Sequence, residues 1–222
     1  MNQETDFPEP ETAALGDRAF PEKSGRSAPL APWRAFFREL ISNPRHIGAA
    51  CPSSEGLARC MAFFVPPDPP GLVVELGAGT GVVTAALLKR GIPADRIVPV
   101  ERSPEMARFL GDRFPKLTVL CGDAVRLGDL LEQRFGGKNS LVSCVVSSLP
   151  LRSLPVTVVD AIMTQLDSLL GSEGRYIQFT YDVRPNTPCL LPGFTRIDSK
   201  VIWLNIPPAR ADLFQRKAVV KC

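Results

Sequence analysis

The sequence lacks the usual means of building a metal or disulfide framework. It holds one histidine, and its six cysteines (Cys51, Cys60, Cys121, Cys144, Cys189, Cys222) include no CxxC pair. Zinc clusters need such spacing, so no metal is expected. None of the cysteines is expected to be a nucleophile. They read as reduced, small apolar residues, with Cys121 and Cys144 expected in the core. Long hydrophobic runs are absent too: none approaches the roughly 18 residues of a membrane-spanning helix. The acidic stretch Met1 to Glu11 lacks the basic and apolar regions of a secretory signal. The expected location is therefore cytoplasmic. Internal repeats are also missing.

What is present is a chain of 222 residues, 45% hydrophobic, which suits one domain with a short extension. Its net charge of +3 is uneven: residues 1–30 carry six acids and three bases, so the remainder carries +6. A basic body suits an anionic partner. Residues 1–30 are rich in Pro, Glu, Ser and Gly, without apolar period, and read as a disordered tail. Residues 31–66 read as N-terminal helices, and 67–222 as an α/β domain.

From Trp33, apolar residues recur on one helical face: Trp33, Phe36, Phe37, Leu40 and Ile41. Arg34, Arg38 and Glu39 lie off it. Asn43-Pro44 ends the segment. Pro52-Ser53-Ser54 opens a second helix with a Leu57, Met61 and Phe64 stripe. Strands and helices then alternate. Strands are predicted at 72–76, 96–101, 117–121, 141–147 and 175–181. Helices are predicted at 81–89, 104–113, 126–135 and 156–170. One or two further strands are placed within 194–205, antiparallel at the edge. Alternation of this kind implies a doubly wound, mainly parallel sheet, with ligands beyond the carboxyl ends of the strands. Pro99 inside the second strand resists, because it cannot donate a ladder hydrogen bond.

Gly77, Gly79 and Gly81 follow the first strand and open a helix. A dinucleotide fingerprint wants another glycine three places after Gly79, where Val82 stands. The spacing is GxGxG, which resembles the class I S-adenosylmethionine-dependent methyltransferases. That resemblance assigns three carboxylates at consecutive strand ends. Glu75 would meet the methionine ammonium, Glu101 the ribose hydroxyls and Asp123 the adenine amino group. Thr80, Arg102, Ala124 and Ser147 complete the candidate cofactor set with the glycines.

A narrower resemblance covers about residues 44–210. Its runs include Ile47-Gly48-Ala49, Pro52-Ser53-Ser54, Glu75 to Thr84, Glu101-Arg102-Ser103-Pro104 and Gly122-Asp123-Ala124. Val146 to Leu151, Gln178 to Tyr181 and Asn205 to Ala209 follow, and the Ser148-Leu149-Pro150-Leu151 part of the first, with the other two, is the more specific. They look like the bacterial phospholipid N-methyltransferases of the Rhodobacter/Sinorhizobium type, which convert phosphatidylethanolamine to phosphatidylcholine. The resemblance implies a Rossmann-like α/β fold with a mostly parallel seven-stranded sheet and helices on both faces. It implies S-adenosyl-L-methionine as cofactor and a membrane-lipid amine as acceptor. It also implies a catalytic tyrosine, Tyr181, and a substrate-enclosing segment before the glycine loop, where His46 is a candidate polar contact or proton acceptor.

The residues themselves bear on the acceptor. Adenine N-methyltransferases carry an Asn/Asp-Pro-Pro-aromatic type run after the fourth strand, to bond and stack the base. Ser148-Leu149-Pro150-Leu151 has neither the amide or acid nor the aromatic, so nucleic acid is not the expected partner. Ser148 and Leu149 are read as substrate contacts, and Arg210 as a partner for a lipid phosphate. The Trp33 helix, with Phe36 and Phe37, reads either as an interfacial helix or as a lid. The expected setting is the inner face of the cytoplasmic membrane, bound peripherally through anionic lipid. Ornithine lipid is the alternative acceptor, an RNA adenine methyltransferase the rival enzyme, and a lipid-binding module the non-enzymatic reading.

Overall fold

The computed structural model describes residues 53–136, 142–185 and 188–216. Trp33, Phe36, Phe37 and His46 lie outside the described residues. Helix α1 (Ser53–Phe63) comes first, then β1 (Leu72–Leu76), buried at each position. Next are α2 (Val82–Lys89), β2 (Ile97–Glu101), α3 (Pro104–Arg113), β3 (Leu120–Cys121), α4 (Leu127–Phe135) and β4 (Val142–Ser147). The chain closes with α5 (Val156–Leu169), β5 (Arg175–Thr180), β6 (Phe194–Ile202) and β7 (Ala209–Arg216). The described strands form one seven-stranded sheet in the order β3-β2-β1-β4-β5-β7-β6. β3 through β5 pair parallel, and β7 runs antiparallel between β5 and β6.

Alternation along each strand divides the core into two layers. Val74, Leu76, Val98 and Val100 face α4 and α5 through Leu127, Leu131, Ile162 and Leu166. Val73, Ile97, Ile177, Ala211 and Leu213 face α1 and α2 through Leu57, Met61, Val83 and Leu87. Leu57, Met61 and Phe64 are buried, as a helix stripe facing a sheet must be. α3 starts as its sequence dictates: the Ser103 side chain caps the Met106 N–H, and Pro104 fills the first turn.

The register explains Pro99. The Val100 carbonyl accepts from Gly77 and Ala78 on the β1 side, and the Glu101 carbonyl accepts from Gly122 on the β3 side. Alternation turns Pro99 toward β3, whose ladder pairs only Val100 and Glu101. The donor that proline lacks therefore faces a level without a partner strand.

Three expectations are corrected. β3 is two residues long rather than five. Cys121, on that edge strand, is exposed, whereas Cys144 is buried and its thiol is pushed up to about 12 by burial. The antiparallel pair also extends past 205: β6 alone fills 194–202, and β7 begins at Ala209. Pro207-Pro208 turns the chain between them, and the charges Arg210 and Asp212 hide β7 from a hydrophobicity pattern.

Candidate active site

The parallel strands β1, β4 and β5 end at Leu76, Ser147 and Thr180 along one edge of the sheet. After β1 the backbone turns through Gly77, Gly79 and Gly81, at φ of 70°, 53° and 79°. Side chains rarely adopt such angles. Two of the positions also leave no room for one. A Cβ on Gly77 would lie 2.6 Å from Leu149 Cδ2, and one on Gly81 would lie 2.5 Å from Phe114 Cε2. Gly79 differs: its nearest neighbour would be the Gly77 carbonyl at 4.0 Å, so this apex faces open space.

Glu101 reaches into the loop. Its Oε2 accepts the Gly79 N–H at 2.9 Å and its Oε1 the Ser103 N–H at 2.9 Å. Two backbone donors thus fix the carboxylate while each oxygen keeps a further acceptor site. Asp123 is anchored similarly, its Oδ1 accepting the Val125 N–H at 3.1 Å. Arg102 Nη1 stands 3.8 Å from Asp123 Oδ2, an exposed pair worth little on its own. Ala124 is buried behind Asp123. The Thr80 carbonyl accepts from Arg113 Nη1 at 2.6 Å, which ties the loop to α3.

Glu75 lies beneath the loop, fully buried. Its Oε2 accepts the Thr84 hydroxyl at 2.5 Å, and its Oε1 has no partner. Burial pushes its carboxyl up to about 8, against the Thr84 hydrogen bonds and with the Glu101 charge adding to the rise. An orphan carboxylate oxygen beside a glycine loop suits a cationic group.

The loop after β4 closes the other side. The Ser148 N–H donates to the Leu76 carbonyl at 2.9 Å, and the Ser147 hydroxyl accepts the Leu149 N–H at 3.4 Å. The buried Ser148 Oγ has no partner. Gln178 holds the loop from β5: its Nε2 donates to the Leu149 carbonyl at 2.9 Å and to the Phe179 carbonyl at 2.7 Å. Its Oε1 accepts the Tyr176 hydroxyl at 2.7 Å. Tyr181 follows β5, half-buried, with its ring edge-on to Phe179 at 5.4 Å.

The fold therefore gathers Glu75, the glycines, Thr80, Glu101, Arg102, Asp123, Ala124, Ser147, Ser148, Leu149 and Tyr181 along one rim. Arg210 is a correction. It is 2% exposed and grips Asp212, with Nη2 2.8 Å from Oδ2 and Nε 2.8 Å from Oδ1, off the hydrogen-bond line. Its Nη1 donates to the Arg184 carbonyl. A lipid phosphate would have to displace Asp212 to reach it. Thr84, Gln178 and Tyr176 went unread as site residues. A glutamine within the apolar run Tyr176-Ile177-Gln178-Phe179 was the available signal, because a polar side chain inside a buried strand needs a partner.

No protein-family model matches the chain. The ornithine lipid N-methyltransferase of Singulisphaera acidiphila is 32% identical over 184 residues, covering 79% of this chain and 92% of that enzyme. The chain belongs to that enzyme's family, within the class I methyltransferases. A solved structure of the glycopeptide N-methyltransferase MtfA with S-adenosylmethionine superposes at a TM-score of 0.56 and 15% identity, over 74% of this chain and 94% of that one. This likeness shows the shared fold. A ribosomal RNA small subunit methyltransferase A of Anaeromyxobacter dehalogenans is 50% identical over 66 residues, but these cover only 22% of its length. The family member described here is an S-adenosylmethionine-dependent methyltransferase on a Rossmann-like fold. Among the described residues, no group of three or more His, Cys, Asp or Glu side chains could hold a metal ion, and no helix is long and apolar enough to cross a membrane.

Proposed function

We propose that this enzyme methylates the primary amine of a membrane-lipid headgroup, with phosphatidylethanolamine carried toward phosphatidylcholine. The observation that carries the reading is the loop Ser148-Leu149-Pro150-Leu151, set against Gly77 and free of any base-stacking aromatic. The 184-residue likeness to a lipid N-methyltransferase supports it. Ornithine lipid is the second reading. It is the acceptor in that relative's name, it carries no phosphate, and the burial of Arg210 removes the phosphate contact read from the sequence.

On this reading Glu75, Glu101 and Asp123 hold the ammonium, ribose and adenine ends of the cofactor, and Gly79 lets the backbone approach it. What S-adenosylmethionine supplies when bound is a methyl group already activated on a sulfonium. The protein's share is then positioning and exclusion of water. Gln178 fixes Leu149, and Leu149 packs over Gly77, so the acceptor loop is held against the cofactor loop. Ser148 Oγ, buried and unpartnered, is a polar contact for the incoming amine. Tyr181 orients that amine by its hydroxyl or ring face. The headgroup ammonium must lose its proton before attack, and His46 is the candidate acceptor. The protein works peripherally at the inner face of the cytoplasmic membrane.

The test is methyl transfer from labelled S-adenosylmethionine to phosphatidylethanolamine, ornithine lipid and ribosomal RNA, with products resolved by chromatography. Label in a lipid amine is expected. Label in RNA alone overturns the reading, and label in ornithine lipid alone decides for the second acceptor.

A further inference from the structure

Among the described residues, the β6–β7 turn carries an apolar cluster that no other element covers. Trp203 is 69% exposed, Leu204 90% and Ile206 80%. Phe63, 60% exposed, continues the patch on α1. A shallow groove of about 460 Å³ joins the two elements, lined by Phe63, Cys60, Arg59, Lys200, Trp203 and Leu204. The turn itself is well held. Asn205 is buried, its Nδ2 donates to the Pro207 carbonyl at 2.6 Å, and its N–H donates to the Ile202 carbonyl at 3.2 Å. A built turn that presents large apolar side chains outward is an interaction surface rather than a loose loop.

Its position follows from the register. β7 pairs antiparallel with β5, with Arg210 opposite Thr180, and β6 pairs antiparallel with β7, with Ile202 opposite Ala209. The turn 203–208 therefore lies on the same edge of the sheet as the ends of β1, β4 and β5, where the active site opens. Cations flank the patch. Arg90 lies 5.1 Å and Lys200 5.9 Å from the Phe63 ring centroid, and Arg59 lines the groove. Glu55 and Asp198 are the nearby acids, and Glu55 is paired to Arg59 at 3.5 Å. One tryptophan and two aliphatic residues on a protrusion, with Arg59 and Lys200 along the adjoining groove, have the composition of an interfacial anchor.

We propose that the β6–β7 turn inserts Trp203, Leu204 and Ile206 into an anionic lipid surface and so presents the active-site rim to the bilayer. The inference rests on the lipid-amine reading and adds the surface through which the acceptor is reached. Lysine and arginine meet the anionic headgroups, and the apolar side chains enter the acyl boundary.

The sequence has two tryptophans, Trp33 and Trp203, so Trp33→Phe leaves Trp203 as the sole indole reporter in the full chain. Vesicles of phosphatidylethanolamine and phosphatidylglycerol with brominated acyl chains should shift its emission to the blue and quench it. Leu204→Glu with Ile206→Glu should weaken vesicle binding ~tenfold or more, a factor equivalent to about 1.4 kcal/mol. Cofactor binding, and transfer to water-soluble short-chain phosphatidylethanolamine or ornithine lipid, should stay at the parent's level. Three results overturn the docking inference: no quenching, unchanged vesicle binding by the double variant, or Trp203 emission already blue before vesicles are added, meaning the chain's own N-terminal segment covers the patch. Failure to methylate either short-chain lipid, with Trp203 still quenched, overturns the acceptor reading and leaves the docking surface standing.

Discussion

Glu75 shows how one buried group ties stability to pH. Its carboxyl is raised from 4.5 to about 8, chiefly because burial penalises the charge. Between those values the folded protein keeps a proton that the unfolded chain has lost. The cost of burying Glu75 therefore grows as pH rises through this window and is complete above about 8. Glu75→Gln lacks the titration. Relative to the parent, the cofactor-free variant should gain stability as pH goes from 5 to 8, by more than about 1 kcal/mol. Denaturant melts across that range measure it, and a parent-to-variant difference that does not change with pH would show that Glu75 is not held neutral. Arg210 and Asp212 give the complementary case. Asp212 also accepts from the Ser199 hydroxyl at 2.7 Å and lies 3.5 Å from Arg196 Nε. Asp212→Ala leaves the buried Arg210 guanidinium without its carboxylate and should cost about 3–5 kcal/mol of stability. Arg210→Met with Asp212→Leu should recover part of that loss, and should leave the KM for lipid unchanged. A raised KM in the double variant would restore Arg210 as a phosphate contact.

The elements were legible where periodicity was strong. β1, α2, α3, α4 and α5 fall within a residue or two of their predicted spans, because a fully buried strand and an amphipathic helix write themselves into the apolar pattern. β7 escaped notice because its buried positions include Arg210 and Asp212. A pair that satisfies itself inside the fold looks like surface in the sequence. The site divides the same way. Strand-end carboxylates and glycines are local signals, whereas Gln178 acts through a carbonyl 29 residues away. Its consequence is testable at the level of the β4 loop. Gln178→Leu removes the donor to Leu149 and leaves the Tyr176 hydroxyl without its acceptor. The loop over Gly77 should lose its register, and kcat should fall ~10–100-fold, the scale of a misplacement near 1 Å. Cofactor affinity by calorimetry should stay within about twofold, because Glu101 and Asp123 are fixed by other donors. Equal losses in affinity and kcat would mean that Gln178 only supports the core.

Charge acts on the whole molecule. Residues 1–30 carry a net −3 and the rest +6, so the chain combines a basic body with an acidic extension. Basic residues near an anionic bilayer contribute about 1 kcal/mol each, and that attraction fades over a Debye length, about 10 Å at 0.1 M salt. An acidic extension on the same chain is drawn to the same cations as the lipid headgroups and competes with them. A protein lacking residues 1–30 should therefore bind phosphatidylglycerol vesicles more tightly than the full chain, ~tenfold at low salt, a factor of about 1.4 kcal/mol. The gain should shrink toward nothing near 1 M salt, where the Debye length is about 3 Å. Binding that remains at high salt should depend on Trp203, Leu204 and Ile206, since apolar burial is not screened. Vesicle sedimentation of both chains across a salt series separates the two contributions. A difference that persists undiminished at high salt would mean that the extension acts by something other than charge.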